Sequence, residues 1–98
     1  MLNSLHVADK QFGKKMRTHA KDFGLNPKSA GDRQKMIGII NEIVDSPDEI
    51  RVGLWRDQPG KVHMYIKDGD VVLANGGEFV TILKDGIFNS RVMQAERI

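Results

Sequence analysis

Ninety-eight residues, 40% hydrophobic and 29% charged, suffice for one small soluble domain and leave little for a second core. No apolar run nears the roughly 18 residues that span a bilayer, and the absence of cysteine excludes a disulfide framework, a thiolate nucleophile and cysteine-ligated zinc. The net charge of +2 hides an asymmetry: residues 1–35 carry eight basic against three acidic side chains, residues 36–50 four acids and no base, and residues 51–98 seven bases against six acids.

Residues 1–10 lack the apolar core and small-residue cleavage site of a signal peptide. A helix is predicted over 9–23, because Phe12, Met16, Ala20 and Phe23 recur on one face; Gly24 and Pro27 end it. A second starts near Ser29, where Ser29 and Asp32 resemble a capping box, and carries Met36, Ile40, Ile43 and Val44 as its stripe up to Asp45-Ser46-Pro47. The period then changes to two. Ile50, Val52 and Leu54 alternate with Arg51, Gly53 and Trp55, and Val62, Met64 and Ile66 with His63, Tyr65 and Lys67. Asp68-Gly69 is a hairpin turn that sets Tyr65 opposite Val72 and His63 opposite Ala74. Strands are predicted next over 71–74 and 79–84, separated by Asn75-Gly76-Gly77; a last short strand is expected over 87–92, and a frayed tail after Met93. Two helices and then an antiparallel meander of four or five strands make an α+β domain with the helices on one sheet face; such a sheet can leave the other face, or a groove beside the helices, open to a ligand.

Several side chains are candidates for chemistry. On a helical wheel His19 lies about 20° outside Phe12, on the edge of the apolar stripe that also carries Lys15 and Asp22. A histidine between apolar walls and beside a lysine favours its neutral, basic form; the alternative is a core histidine hydrogen-bonded to a carbonyl. Lys14, Arg17 and Lys21 surround it and suit a phosphate or RNA backbone, or else form a solvated face. Trp55 falls on the polar side of its strand's alternation, and with Arg56 makes either a base-stacking platform or a cover for the second sheet face. Thr81 stands mid-strand, and Asn89 and Arg91 add polar groups near the last turn. With three histidines spread along the chain, neither a metal nor another cofactor is expected.

The stretch Phe12-Gly13-Lys14-Lys15-Met16-Arg17-Thr18-His19-Ala20-Lys21-Asp22-Phe23-Gly24-Leu25 resembles the F-x-K-H-x-x-D-F/Y-G helix of bacterial polymorphic toxin domains. Arg51-Val52-Gly53-Leu54-Trp55-Arg56, the run from Gly77 to Gly86 and Asn89-Ser90-Arg91-Val92 are similar to later parts of the same domains, so the likeness spans most of the chain. These are the toxin ends of contact-dependent growth inhibition and related secreted proteins, within the barnase–EndoU–colicin–RelE-like superfamily, nearest the colicin D-like group. The resemblance implies a metal-independent ribonuclease, acting on transfer RNA and neutralised by an immunity protein; the basic balance of residues 1–35 makes the expected partner acidic. It implies His19 as the catalytic histidine, helped by Lys15 and Thr81. The chain departs from the pattern at Thr18, where the family-like residue before the histidine is lysine. His6 is a further candidate participant. The expected setting is the end of a larger secreted protein, acting as a monomer in the cytoplasm of a target cell. The alternatives are a non-catalytic RNA-binding or virion-associated module on the same fold, and a structural domain whose basic helix binds an acidic protein.

Overall fold

The computed structural model describes residues 5–98; the part of the leader reading that rests on residues 1–4 lies outside them. Helix α1 (Asp9–His19) buries Phe12, Gly13 and Met16, then tightens into a 3₁₀ turn (Ala20–Phe23). Gly24 closes that turn in the left-handed region, at φ 71°, and Leu25 N–H returns to the Ala20 carbonyl. Helix α2 (Ala30–Asp45) begins at Ser29, whose hydroxyl accepts from Asp32 N–H at 3.2 Å. The box is not reciprocal: the Asp32 carboxylate instead accepts from Asn26 N–H at 2.8 Å, fixing the loop between the helices.

Strands β1 (Glu49–Leu54), β2 (Lys61–Lys67), β3 (Asp70–Asn75) and β4 (Glu78–Leu83) form the expected antiparallel meander. Asp68 and Gly69 both have positive φ, as a two-residue type I′ turn requires, and the register sets Tyr65 opposite Val72 and His63 opposite Ala74. The C-terminus departs from expectation. In place of a strand over 87–92 there is a 3₁₀ turn (Gly86–Phe88) and a short helix α3 (Ser90–Gln94). Asn89 causes the change, because its side chain accepts from Arg91 N–H and Val92 N–H and caps the helix. The tail is not frayed: strand β5 (Glu96–Arg97) pairs with β1, completing the order β4-β3-β2-β1-β5, and Ile98 N–H reaches the Ile50 carbonyl at 2.9 Å.

Two cores result, one on each sheet face. Both N-terminal helices pack on the first, where Phe12, Met16, Ala20, Met36, Ile40 and Ile43 meet Val72, Phe79, Ile82 and Tyr65. The second face is covered rather than open: Trp55, Val62, Met64, Ile66, Val71, Leu73 and Val80 pack with Val92 and partly buried Ile87 and Ala95 of the C-terminal segment. Two glycines permit that cover. A Cβ on Gly53 would lie 2.8 Å from the Ala95 Cβ, and one on Gly86 2.7 Å from the Leu83 Cβ. Arg51 ties the cover down, pairing with Glu49 and donating to the Val92 carbonyl at 2.9 Å.

Strand β4 carries a bulge. Its register with β3 slips between Leu73 and Ala74, leaving Val80 as the extra residue. The Gln11 amide donates to the Val80 carbonyl, fastening α1 to β4.

Candidate active site

His19 is the last residue of α1, with its imidazole 19% exposed. Burial lowers its proton affinity below the ordinary histidine value, and the charges of Lys15 and Arg56 push the same way. Asp22 opposes them; its Oδ2 lies 3.7 Å from Nδ1, an ion-pair distance too long for a hydrogen bond. Lys15, one turn earlier, is also lowered, first by burial and then by Lys14 and Arg56, while Asp57 partly offsets them. The edge of α1 therefore carries a mostly withdrawn, neutral-leaning imidazole beside an ammonium that gives up its proton more readily than usual.

Arg56 reaches this edge from the loop between β1 and β2. That loop is tied to the end of β3, where the Asn75 amide donates to Gln58 Oε1 and to the Pro59 carbonyl, both at 3.1 Å. It also borders α1, since Gln11, Gln58 and Pro59 line one cavity. The loop turns sharply just past the end of β1, with Arg56 at φ 38° in the left-handed region. The Arg56 guanidinium sits 5.0 Å from the centre of the Trp55 ring, and that of Arg91 on α3 sits 5.9 Å from it. Trp55 is thus no exposed stacking platform. It is 4% exposed and packed into the second core, on the side to which Arg51 and Gly53 also point, so it covers the second sheet face.

The other candidates are dispersed. Thr81 is 1% exposed and stands opposite Leu73, so it shares the second face and not the face that carries α1. Its hydroxyl has no hydrogen-bond partner among the described residues. Lys15 and Arg17 lie about 160° apart around the helix; Arg17 borders Gly13 together with the Arg33 guanidinium, on the flank away from His19. Lys14 lines a shallow cavity with Lys10 and Arg17, and Lys21 lies exposed in the 3₁₀ turn. Asn89 is used as the α3 cap. His6 holds the N-terminal segment to β4: its Nδ1 meets both Glu78 carboxylate oxygens at 2.8 and 2.9 Å, and its backbone pairs with Gly77 and Phe79. His63 stacks on Tyr65. Asp57, absent from the sequence candidates, joins the group only through the path of its loop; nothing local in Arg56-Asp57-Gln58-Pro59-Gly60 marks it.

What remains together is His19, Lys15, Arg56, Asp22 and Asp57, with Trp55 and Arg91 behind Arg56. Such a group can take a proton from an alcohol while two cations hold an adjacent anion. Among the described residues no three His, Cys, Asp or Glu side chains converge as a metal site, and no helix is long and apolar enough to cross a membrane. The chain matches no protein-family model, no curated protein and no solved structure.

Proposed function

We propose that the chain is a ribonuclease toxin domain that cleaves RNA, of which transfer RNA is the expected target, with His19 as general base and no metal. The observation that carries this reading is His19 itself: withdrawn from water, held toward its neutral form, and flanked by Lys15 and Arg56 from two different elements.

In this mechanism the imidazole of His19 takes the proton of a ribose 2′-hydroxyl. The 2′-oxygen attacks the adjacent phosphorus, and the bond to the 5′-oxygen breaks. Arg56, always charged, stabilises the charge gathering on the phosphate. Lys15, with its lowered proton affinity, donates to the departing 5′-oxygen. The products are a 2′,3′-cyclic phosphate and a 5′-hydroxyl. Dependence on the 2′-hydroxyl restricts the reaction to RNA. Thr81 takes no part, since its hydroxyl is buried in the second core. The domain acts as a monomer, delivered as the end of a larger secreted protein into a target cell's cytoplasm, and an acidic immunity protein masks it in the cell that makes it.

The test is expression of the chain alone in bacteria, with RNA examined by gel. The parent should arrest growth and fragment RNA, and His19→Ala should lose about 10²–10⁴-fold of the cleavage rate while keeping its thermal transition. Full toxicity in a folded His19→Ala protein would remove His19 from the mechanism. Tight RNA binding without cleavage by the parent would favour a non-catalytic RNA-binding module.

A further inference from the structure

A second cavity is bordered by Arg91, whose guanidinium shares the Trp55 ring with that of Arg56, and the cleavage chemistry leaves it unused. It holds about 340 Å³ and sits between the end of β1 and α3, lined by Leu54, Lys61, Arg91, Gln94 and Glu96 over a floor that includes Gly53. That volume falls in the range of small-ligand sites, about 300–1,000 Å³.

We propose that this cavity binds the nucleotide next to the scissile phosphate, taking its phosphate on Arg91 and Lys61 and its sugar and base against Leu54. The inference rests on the ribonuclease reading of His19. Its first support is a continuous line of cations from three elements. Lys15 of α1 lies within electrostatic reach of Arg56, and Arg56 shares the Trp55 ring with Arg91, which itself lines the cavity. No ion pair neutralises Arg56, Arg91 or Lys61 among the described residues. A chain of phosphates is the polyanion that tracks such a line.

The second support is the mixed lining. Leu54 leaves 67% of its surface to solvent at the cavity wall, where an apolar side chain gains from covering by a sugar or base. Gln94 can donate and accept at a base edge, and the Glu96 carboxylate accepts from a base N–H. Two cations, an apolar side chain, an amide and a carboxylate in one lining are the complement of a nucleotide and not of a bare anion.

The site is rigid. Asn89 caps α3 and Arg51 holds the Val92 carbonyl, so Arg91 projects from a fixed backbone. Trp55 is the chain's single tryptophan and lies under both guanidiniums, so its emission reports any ligand that engages either one.

The experiment titrates the His19→Ala chain with adenosine 5′-monophosphate and, separately, with inorganic phosphate, reading Trp55 emission and amide shifts. The nucleotide should bind at least tenfold more tightly than phosphate and shift the amides of Leu54, Lys61 and Gln94. Arg91→Gln and Lys61→Gln, each added to His19→Ala, should weaken nucleotide binding about tenfold, whereas Lys35→Gln on α2 should not. With His19 restored, both substitutions should raise KM for RNA about tenfold and leave kcat within about twofold. Shifts confined to α1 and the 55–57 loop, equal binding of inorganic phosphate, or unchanged nucleotide affinity in both variants would overturn the proposal. Nucleotide binding in a chain that never cleaves RNA would sink the ribonuclease reading and leave this site standing. Cleavage with an unchanged KM in both variants would do the reverse.

Discussion

In the proposed mechanism, the same physics at His19 governs rate and stability. Burial and two nearby cations hold the imidazole below its ordinary value of 6.5, so the folded protein binds fewer protons there than the unfolded chain. Its contribution to stability is therefore complete above that value and is lost as pH falls through it toward the lowered folded one. The rate should track the neutral imidazole, with an acid limb centred below 6.5. As the proposed acid, Lys15 should supply the opposite limb, with activity falling as its ammonium deprotonates, at a midpoint below 10.5. Neighbour substitutions separate these causes. Arg56→Gln removes a cation and should move the acid limb up toward the ordinary value, whereas Asp22→Asn removes the opposing acid and should move it further down. The readout is the pH profile of kcat/KM for each variant. A limb that shifts in neither variant would mean that neither side chain bears on the base.

The elements show what is legible in the chain and what is not. Asp68-Gly69 specifies its turn, and with it the β2–β3 register, because type I′ chemistry is local. Helix ends at Ser29 and Gly24 are legible for the same reason. The direction of each face is not. Paired residues in an antiparallel sheet share a face, and the register sets Ile50 against Tyr65 but Gly53 against Val62. The apolar series of β1 and β2 therefore point to opposite sides, and each strand's alternation reads the same whichever face it serves. Only pairing decides, and pairing is tertiary. Of the site, the α1 edge with Lys15, His19 and Asp22 is legible from helical spacing; the convergence of Arg56 and Asp57 is not, because a loop brings them in. Thr81 is a sound strand residue whose direction the bulge and register determine.

Gly53→Ala puts a methyl group 2.8 Å from the Ala95 Cβ and should cost about 1–3 kcal/mol, read by urea melts. Loss of less than a few tenths would mean that the C-terminal cover shifts freely. Arg51 holds the Glu49 carboxyl below its usual value, chiefly by hydrogen bonding and despite some burial. Stability from that pair is present above 4.5 and lost as pH falls through the lowered value, so Arg51→Met should flatten the acid end of the stability curve.

The whole molecule is a small ellipsoid, 36 × 27 × 26 Å, with a radius of gyration of 12.5 Å. Its charge is unevenly spread, and the structure divides the basic N-terminal third into two parts. Lys15 shares the His19 edge with Arg56, while Lys14, Arg17 and Lys21 lie around the helix from it. The proposed acidic immunity protein can mask the site only by reaching the first part. Lys15→Glu should then weaken partner binding and RNA cleavage together, mainly through slower association, while Lys21→Glu should change partner affinity less. If neither reversal alters partner affinity, the mask sits elsewhere on the molecule.

A histidine-driven attack by the ribose 2′-hydroxyl without a metal writes its signature in the ends of the cleaved RNA. Purified chain should be incubated with transfer RNA in excess chelator, and the new termini resolved. Fragments ending in 2′,3′-cyclic phosphate with 5′-hydroxyl partners, absent with His19→Ala, are the expected result. Ends bearing 3′-hydroxyl and 5′-phosphate, or cleavage that stops in chelator and returns with a divalent cation, would contradict it.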